Sequence, residues 1–226
     1  MNKKIIILIV VFLILALGLV FWQLEKSENI NNQTSYQDKA EYSVDDFPDF
    51  KGDKEEAERL IESLNKQYTF LNESDKPYSY WIQIGLIKKV LRDYEGAESA
   101  WRSAVSLVEQ PIVAYGNLAD LYFHFMRDYD KAEGYYKKVM DLSPRSFIYR
   151  EGLADLYRYD LKEKDNLIEE IMLEGASQNP GDKINYYAYL FDFFTDKGNI
   201  EKKKEYEKKI KKIDPNWTLF VQEIEL

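Results

Sequence analysis

The apolar positions fall into three regimes along the chain. From Ile5 to Trp22 they form an uninterrupted run of eighteen residues, relieved only by Gly18. A run of that length without a charge reaches the lower limit for crossing a bilayer as a helix. Lys3 and Lys4 precede it, while Glu25, Lys26 and Glu28 after it nearly cancel. That bias keeps residues 1–4 cytoplasmic, makes 5–22 a signal anchor and sends the remainder across the membrane. Ala16 and Gly18 also fit the small residues of a cleavage site, but apolarity continues beyond them through Leu19-Val-Phe-Trp22. Residues 23–52 show no apolar period and are rich in Asn, Gln, Ser and acids. They read as a flexible tether with a reach of roughly 30 Å. Within it, Asp45-Asp-Phe-Pro-Asp-Phe50 sets two aromatics among acids, as a linker end resting on the first helix or as a short docking motif. From Lys54 a helical period begins: Ala57, Leu60, Ile61 and Leu64 share one face of a helix running to about Leu71. Asp53 and Glu56 have the spacing of a capping box. Asn72 to Pro77 ends the helix, so residues 53–77 form a capping helix.

Beyond Pro77 the pattern repeats. Tyr94-Glu-Gly-Ala97…Trp101…Ala104 is echoed by Tyr129-Asp-Lys-Ala132…Tyr136…Val139, with the tyrosines 35 residues apart. Leu118-Ala-Asp-Leu-Tyr122 recurs as Leu153-Ala-Asp-Leu-Tyr157 at the same interval. Self-similarity at that period marks a helical repeat array. Ala97 and Ala132 fall where a second helix must approach the first closely. Trp101 and Tyr136 are large enough to fill the wedge between successive pairs. Pro111, Pro144, Pro180 and Pro215 punctuate the units. One pair cannot cover its own apolar face, so the pairs must stack. The chain is therefore expected to be all-α, with helix pairs near 78–111, 112–146, 147–181 and 184–217. A C-terminal cap over 216–226 is built on Trp217-Thr-Leu-Phe-Val221.

These residues resemble the tetratricopeptide repeat (TPR), a 34-residue helix–turn–helix unit. The first unit matches at Trp81, Ile84, Gly85, Ala97, Trp101 and Ala104, and departs at Lys88, where the family carries tyrosine. The second matches at Tyr115, Leu118, Ala119, Tyr122, Ala132, Tyr136 and Pro144, with one extra residue in the Phe123–Arg127 turn. The third keeps Leu153, Ala154, Tyr157 and Pro180 but has a longer turn near Asp160–Asp165, then Ile168, Met172 and Gly175. The fourth keeps Tyr187, Leu190, Phe194, Gly198, Ile210 and Pro215, with Lys203 in place of alanine. The resemblance implies a right-handed superhelix, an α-solenoid, whose concave groove holds other proteins.

In the family, positions 2, 5, 9, 12 and 13 of each first helix line that groove, and such a stripe is also one helical face. Carried onto this chain, position 9 is Leu86, then Asp120, Asp155 and Asp192. Glu151 and Asp196 lie on the same stripe, with Phe123, His124, Arg158 and Tyr159 as neighbours. An acidic stripe suits a partner segment carrying Lys or Arg. Groove-bound C-terminal carboxylates need basic support, and only Lys89 and Arg158 offer it, so a chaperone-tail clamp does not fit.

Composition narrows the function further. The 18 Tyr, 12 Phe and 4 Trp against 10 Gly and 6 Pro suit packed helices. A formal net charge of −9 opposes nucleic-acid binding, which needs a basic footprint. There is no cysteine, hence no disulfide framework or thiolate nucleophile. His124 is the sole histidine, and no phosphate loop, HExxH or GxSxG occurs. No cofactor or metal is called for, and Asp120 with Asp155 as a glycosidase pair has no sugar cleft to support it. Lys202, Lys203, Lys204, Lys208, Lys209, Lys211 and Lys212 interleave with Glu201, Glu205 and Glu207, as on a solvated helix or one facing an anionic surface. The sequence thus reads as a non-enzymatic, membrane-tethered adaptor on the extracytoplasmic side. The alternatives are an envelope component that self-assembles through its array ends, and a protein acting on envelope glycan.

Overall fold

The structure, a computed structural model, describes residues 41–217. The expected membrane anchor over 5–22, most of the tether and residues 218–226 lie outside the described residues. Among those described, no helix is long and apolar enough to cross a membrane.

The described residues contain α-helices and short 3-10 and π turns, with no strand. The helices are α1 (Lys54–Glu73), α2 (Tyr78–Val90), α3 (Tyr94–Val105), α4 (Ile112–Leu121), α5 (Tyr129–Leu142), α6 (Phe147–Tyr159), α7 (Ile168–Gln178), α8 (Lys183–Asp196) and α9 (Ile200–Ile213). They divide into two compact units at Ser103/Ala104, near the end of α3.

In the first unit Asp53 caps α1, its Oδ1 accepting from the Glu56 amide at 2.8 Å. Ala57, Ile61, Leu64 and Tyr68 give α1 a buried face, which packs on α2. Helices α2 and α3 close on each other at Gly85. A Cβ there would stand 2.3 Å from the Trp101 indole nitrogen. Trp101 is fully buried and its Nε1 donates to the Ile82 carbonyl at 3.2 Å, so the ring's one polar atom is satisfied.

Part of the expected tether is not loose chain. A 3-10 turn over Val44–Asp46 lays residues 42–50 against α1, and Phe47 is buried beside Ile61, Leu64 and Tyr68. Burial of a phenylalanine contributes about 2–3 kcal/mol. Tyr42 reaches Lys88, the residue that departs from the repeat pattern. The Lys88 ammonium, 1 % exposed, lies 3.1 Å from Asp93 Oδ2 and 3.4 Å from the Tyr42 hydroxyl. The tyrosine missing from the repeat is supplied from outside it.

In the second unit each helix from α4 to α9 packs on the one that follows, and α6 also meets α8. The turn inside a pair has a recurrent chemistry. A residue in the left-handed region (Arg92, φ 64°; Arg127, φ 54°; Gly198, φ 66°) ends the first helix. An Asp or Asn then caps the second. Asp93 accepts from the Gly96 amide at 2.8 Å, Asp128 from Lys131 at 3.2 Å, and Asn199 from Lys202 at 3.0 Å. The extra residue of the second repeat unit is absorbed in a π-helical turn, Tyr122–Met126, which prolongs α4 before Arg127. The longer turn of the third unit is a 3-10 helix over Lys162–Leu167.

Two buried charged side chains join the helices. Glu133 on α5 accepts from the Tyr157 hydroxyl of α6 at 2.6 Å, from Lys137 at 2.7 Å and from Lys164 at 2.5 Å. Arg150 on α6, 2 % exposed, donates to the Pro144 and Ile171 carbonyls, to Glu174 and to Gln178. Both guanidinium and carboxylate thus have the partners that burial demands. At the end of the described chain, Trp217 rests edge-on against Phe191, their centroids 5.5 Å apart.

Candidate functional site

The candidate groove residues sit on the first helices of three successive pairs: Asp120 on α4, Glu151, Asp155, Arg158 and Tyr159 on α6, and Asp192 and Asp196 on α8. His124 and Phe123 belong to the π-helical turn. All lie in the second unit.

Their side chains have unequal freedom. Asp155 Oδ1 accepts from the Tyr189 hydroxyl of α8 at 2.7 Å. Arg158 of α6 pairs with Asp196 of α8. The Arg158 guanidinium also lies 5.3 Å from the Tyr159 ring centroid, 5.5 Å from that of Tyr189 and 5.9 Å from that of Phe193. These contacts lock α6 to α8 and cancel the charge of Arg158. Glu151 and Asp192 have neither a hydrogen bond nor an ion pair among the described residues. Asp120 Oδ1 stands 3.6 Å from His124 Nε2, one helical turn on, and both are partly exposed. Tyr159 is 56 % exposed at the edge of this surface.

Phe123 departs from the expectation. It is 7 % exposed and packs its ring against Tyr129 and Tyr136 in the core. The π-helical turn is the physical reason. Its wider i→i+5 bonding breaks the α-helical step after Tyr122, so the register that places position 12 in the groove does not hold there.

Sequence reasoning did not pick out Tyr136 or Tyr189 as site residues. Tyr136 is wedged against α6 at Gly152, where a Cβ would lie 2.5 Å from its ring. Burial, then Asp120 and Asp155, push its hydroxyl well above the ordinary tyrosine range. It therefore stays a neutral phenol next to two carboxylates. Tyr189 is likewise pushed up, by burial and then by the Asp155 carboxylate it bonds. Only the recurrence of tyrosine in these helices hinted at either.

The carboxylates respond to this packing. Burial and the neighbouring Asp155 raise the Glu151 pKa. For Asp192, burial and Asp196 raise it more than Arg158 lowers it. Raised carboxylate pKa values on one face mean that these groups bear a cost of ionisation that a cation would relieve. No group of three His, Cys, Asp or Glu among the described residues is arranged to hold a metal ion. The face can accept hydrogen bonds and positive charge, and the exposed Tyr159 offers ring contact.

No family model matches the chain, and no curated protein matches it. Seven solved chains do. One, described as "MamA RS-1 ArsTM double mutant", is 17 % identical and superposes with a TM-score of 0.54 over 69 % of this chain and 85 % of its own. At that identity the likeness is one of fold: the described chain is an all-helical, TPR-like array of helix pairs.

Proposed function

We propose that this protein is a membrane-tethered adaptor whose TPR-like face on α4, α6 and α8 receives a basic segment of a partner protein. The observation that carries the reading is the imbalance of charge on that face. Asp120, Glu151, Asp155, Asp192 and Asp196 stand on it, and its arginine, Arg158, is already paired with Asp196. Lysine or arginine side chains entering there gain electrostatic complementarity and relieve the raised carboxylates. The tether is the apolar run at 5–22, behind Lys3 and Lys4, which gives the array an extracytoplasmic location. Binding, not catalysis, is the activity such a face supports. Self-association through the array ends is the second reading, favoured by Ile200 and Ile213 of α9, which are 66 % and 47 % exposed.

The test uses the full chain and a lysine-rich synthetic peptide as probe. In the Asp120→Asn, Glu151→Gln, Asp192→Asn variant, association with the probe should slow about tenfold or more at low salt and lose most of its salt dependence. Asp155 is left intact because it holds Tyr189. An association rate unaltered by the three substitutions overturns the reading.

A further inference from the structure

The segment before α1 is held as a peptide ligand is held. Its main chain is gripped by one side chain, Asn65 of α1. Tyr42 N–H donates to Asn65 Oδ1 at 2.8 Å, and Asn65 Nδ2 donates back to the Tyr42 carbonyl at 3.0 Å. That two-point amide contact reads the main chain without needing a strand or helix. Two aromatic anchors flank it. The Tyr42 ring stacks on Tyr68 with centroids 5.4 Å apart, beneath the Lys88 ammonium at 4.9 Å. Phe47, five residues on, is buried among Ile61, Leu64 and Tyr68. Between the anchors the segment folds on itself: Asp46 Oδ2 accepts from the Ser43 amide at 2.8 Å and from its hydroxyl at 3.0 Å. Glu41, Ser43, Asp45, Asp46, Pro48 and Asp49 are exposed.

We propose that Asn65, Tyr68 and Lys88, with the Phe47 pocket, form a second peptide-binding site, specific for a segment carrying tyrosine and, five residues later, phenylalanine, with a turn between them. Residues 42–47 occupy it as an exchangeable ligand in cis. Lys88 is the specificity element. At a position the repeat pattern gives to tyrosine, it places a cation where a hydroxyl-bearing ring can meet it, with Asp93 balancing the charge. Exchange is physically reasonable because Tyr42 and Phe47, the partly buried Val44 and Phe50 and one amide clamp hold some ten residues, each of which loses backbone freedom on docking. The exposed connector Lys51-Gly-Asp53 links the segment to α1 without helix or strand. This site lies in the first unit and stands or falls independently of the acidic face on α4, α6 and α8.

The experiment vacates the site and refills it. A fluorescent peptide with the sequence of residues 41–51 is titrated into the wild-type full chain and into the full chain carrying Tyr42→Ala and Phe47→Ala. The vacated variant should keep its helical circular dichroism and bind the peptide saturably, at least tenfold more tightly than the wild type, whose own segment competes. Asn65→Ala added to that variant should weaken binding about tenfold, and a peptide lacking both aromatics should not bind. If the vacated variant loses its helical signal, the segment is integral core and the proposal is overturned. Equal binding to both chains, or none to the folded variant, overturns it as well.

Discussion

Arg127 is the residue at which local and tertiary demands conflict most openly. Its φ of 54° lies in the left-handed region, where an L side chain costs about 1–2 kcal/mol and glycine far less. Gly198 occupies the equivalent place in the last pair at φ 66°. Arg127 is exposed and leads directly into the Asp128 cap. Arg127→Gly should therefore raise stability by about 0.5–1 kcal/mol, after the extra entropy glycine gives the unfolded chain is deducted. Chemical denaturation reads the shift, and a lower midpoint would show that the arginine side chain contributes more than its backbone costs. Lys88 shows the opposite resolution: a residue wrong for its repeat position is made right by Tyr42 and Asp93 from elsewhere.

Between elements, the second unit is joined by charged side chains as well as by apolar packing. Glu133 binds α5 to α6 through Tyr157, and to the turn after α6 through Lys164. Burial alone would raise its pKa, but the hydrogen bonds from Lys137, Lys164 and Tyr157 hold it down at about 2, below the ordinary 4.5. A carboxylate depressed in the folded state contributes stability above its unfolded pKa and loses it as pH falls through the folded one. Its share is thus complete above about pH 5 and disappears between pH 4.5 and about 2. Glu133→Gln should cost on the order of 2 kcal/mol at pH 7 and flatten the loss of stability across that window. Denaturation midpoints at pH 7, 4 and 3 test both parts; an equal cost at all three contradicts the assignment. The π-helical turn is the other feature at this scale. It accommodates one extra residue without disturbing the Asp128 cap, and it buries Phe123 while leaving His124 at the rim.

For the whole molecule, charge sets the conditions under which the proposed acidic face would bind a basic segment. The chain carries −9 overall, yet Glu151 and Asp192 have raised pKa values, so their charge is lost at a higher pH than that of ordinary carboxylates. A basic probe should bind best at neutral pH and weaken several-fold as pH falls through the upper carboxylate range. The Glu151→Gln, Asp192→Asn variant should show little of that dependence. For stability the sign is reversed: raised carboxylates favour folding below their pKa and oppose it above, so Glu151→Gln should be neutral or slightly stabilising at pH 7. Titration of the probe at pH 7.5 and 5, beside thermal melts of the variant, checks both signs. A pH profile identical in wild type and variant excludes these two groups.

The sequence by itself determined the helical architecture. Small residues at Ala97 and Ala132, rings at Trp101 and Tyr136 and the 35-residue echo express contacts within a pair and between neighbouring pairs, which are local and periodic. The same register located Asp120, Asp155 and Asp192 on successive first helices. Only the tertiary structure decided what those residues are free to do. Asp155 is engaged by Tyr189 and Arg158 by Asp196, 34 and 38 residues away, and the repeat spacing that sets neighbouring helices side by side does not say which side chains pair across them. Phe123 is buried against Tyr129 and Tyr136 in a π-helical turn, which spacing alone does not reveal. The Tyr42–Phe50 segment lacks helical periodicity, and only its two phenylalanines among acids suggested a linker end resting on the first helix. Its partners Asn65 and Lys88 lie 23 and 46 residues on, and contacts at that distance leave no period in the segment itself.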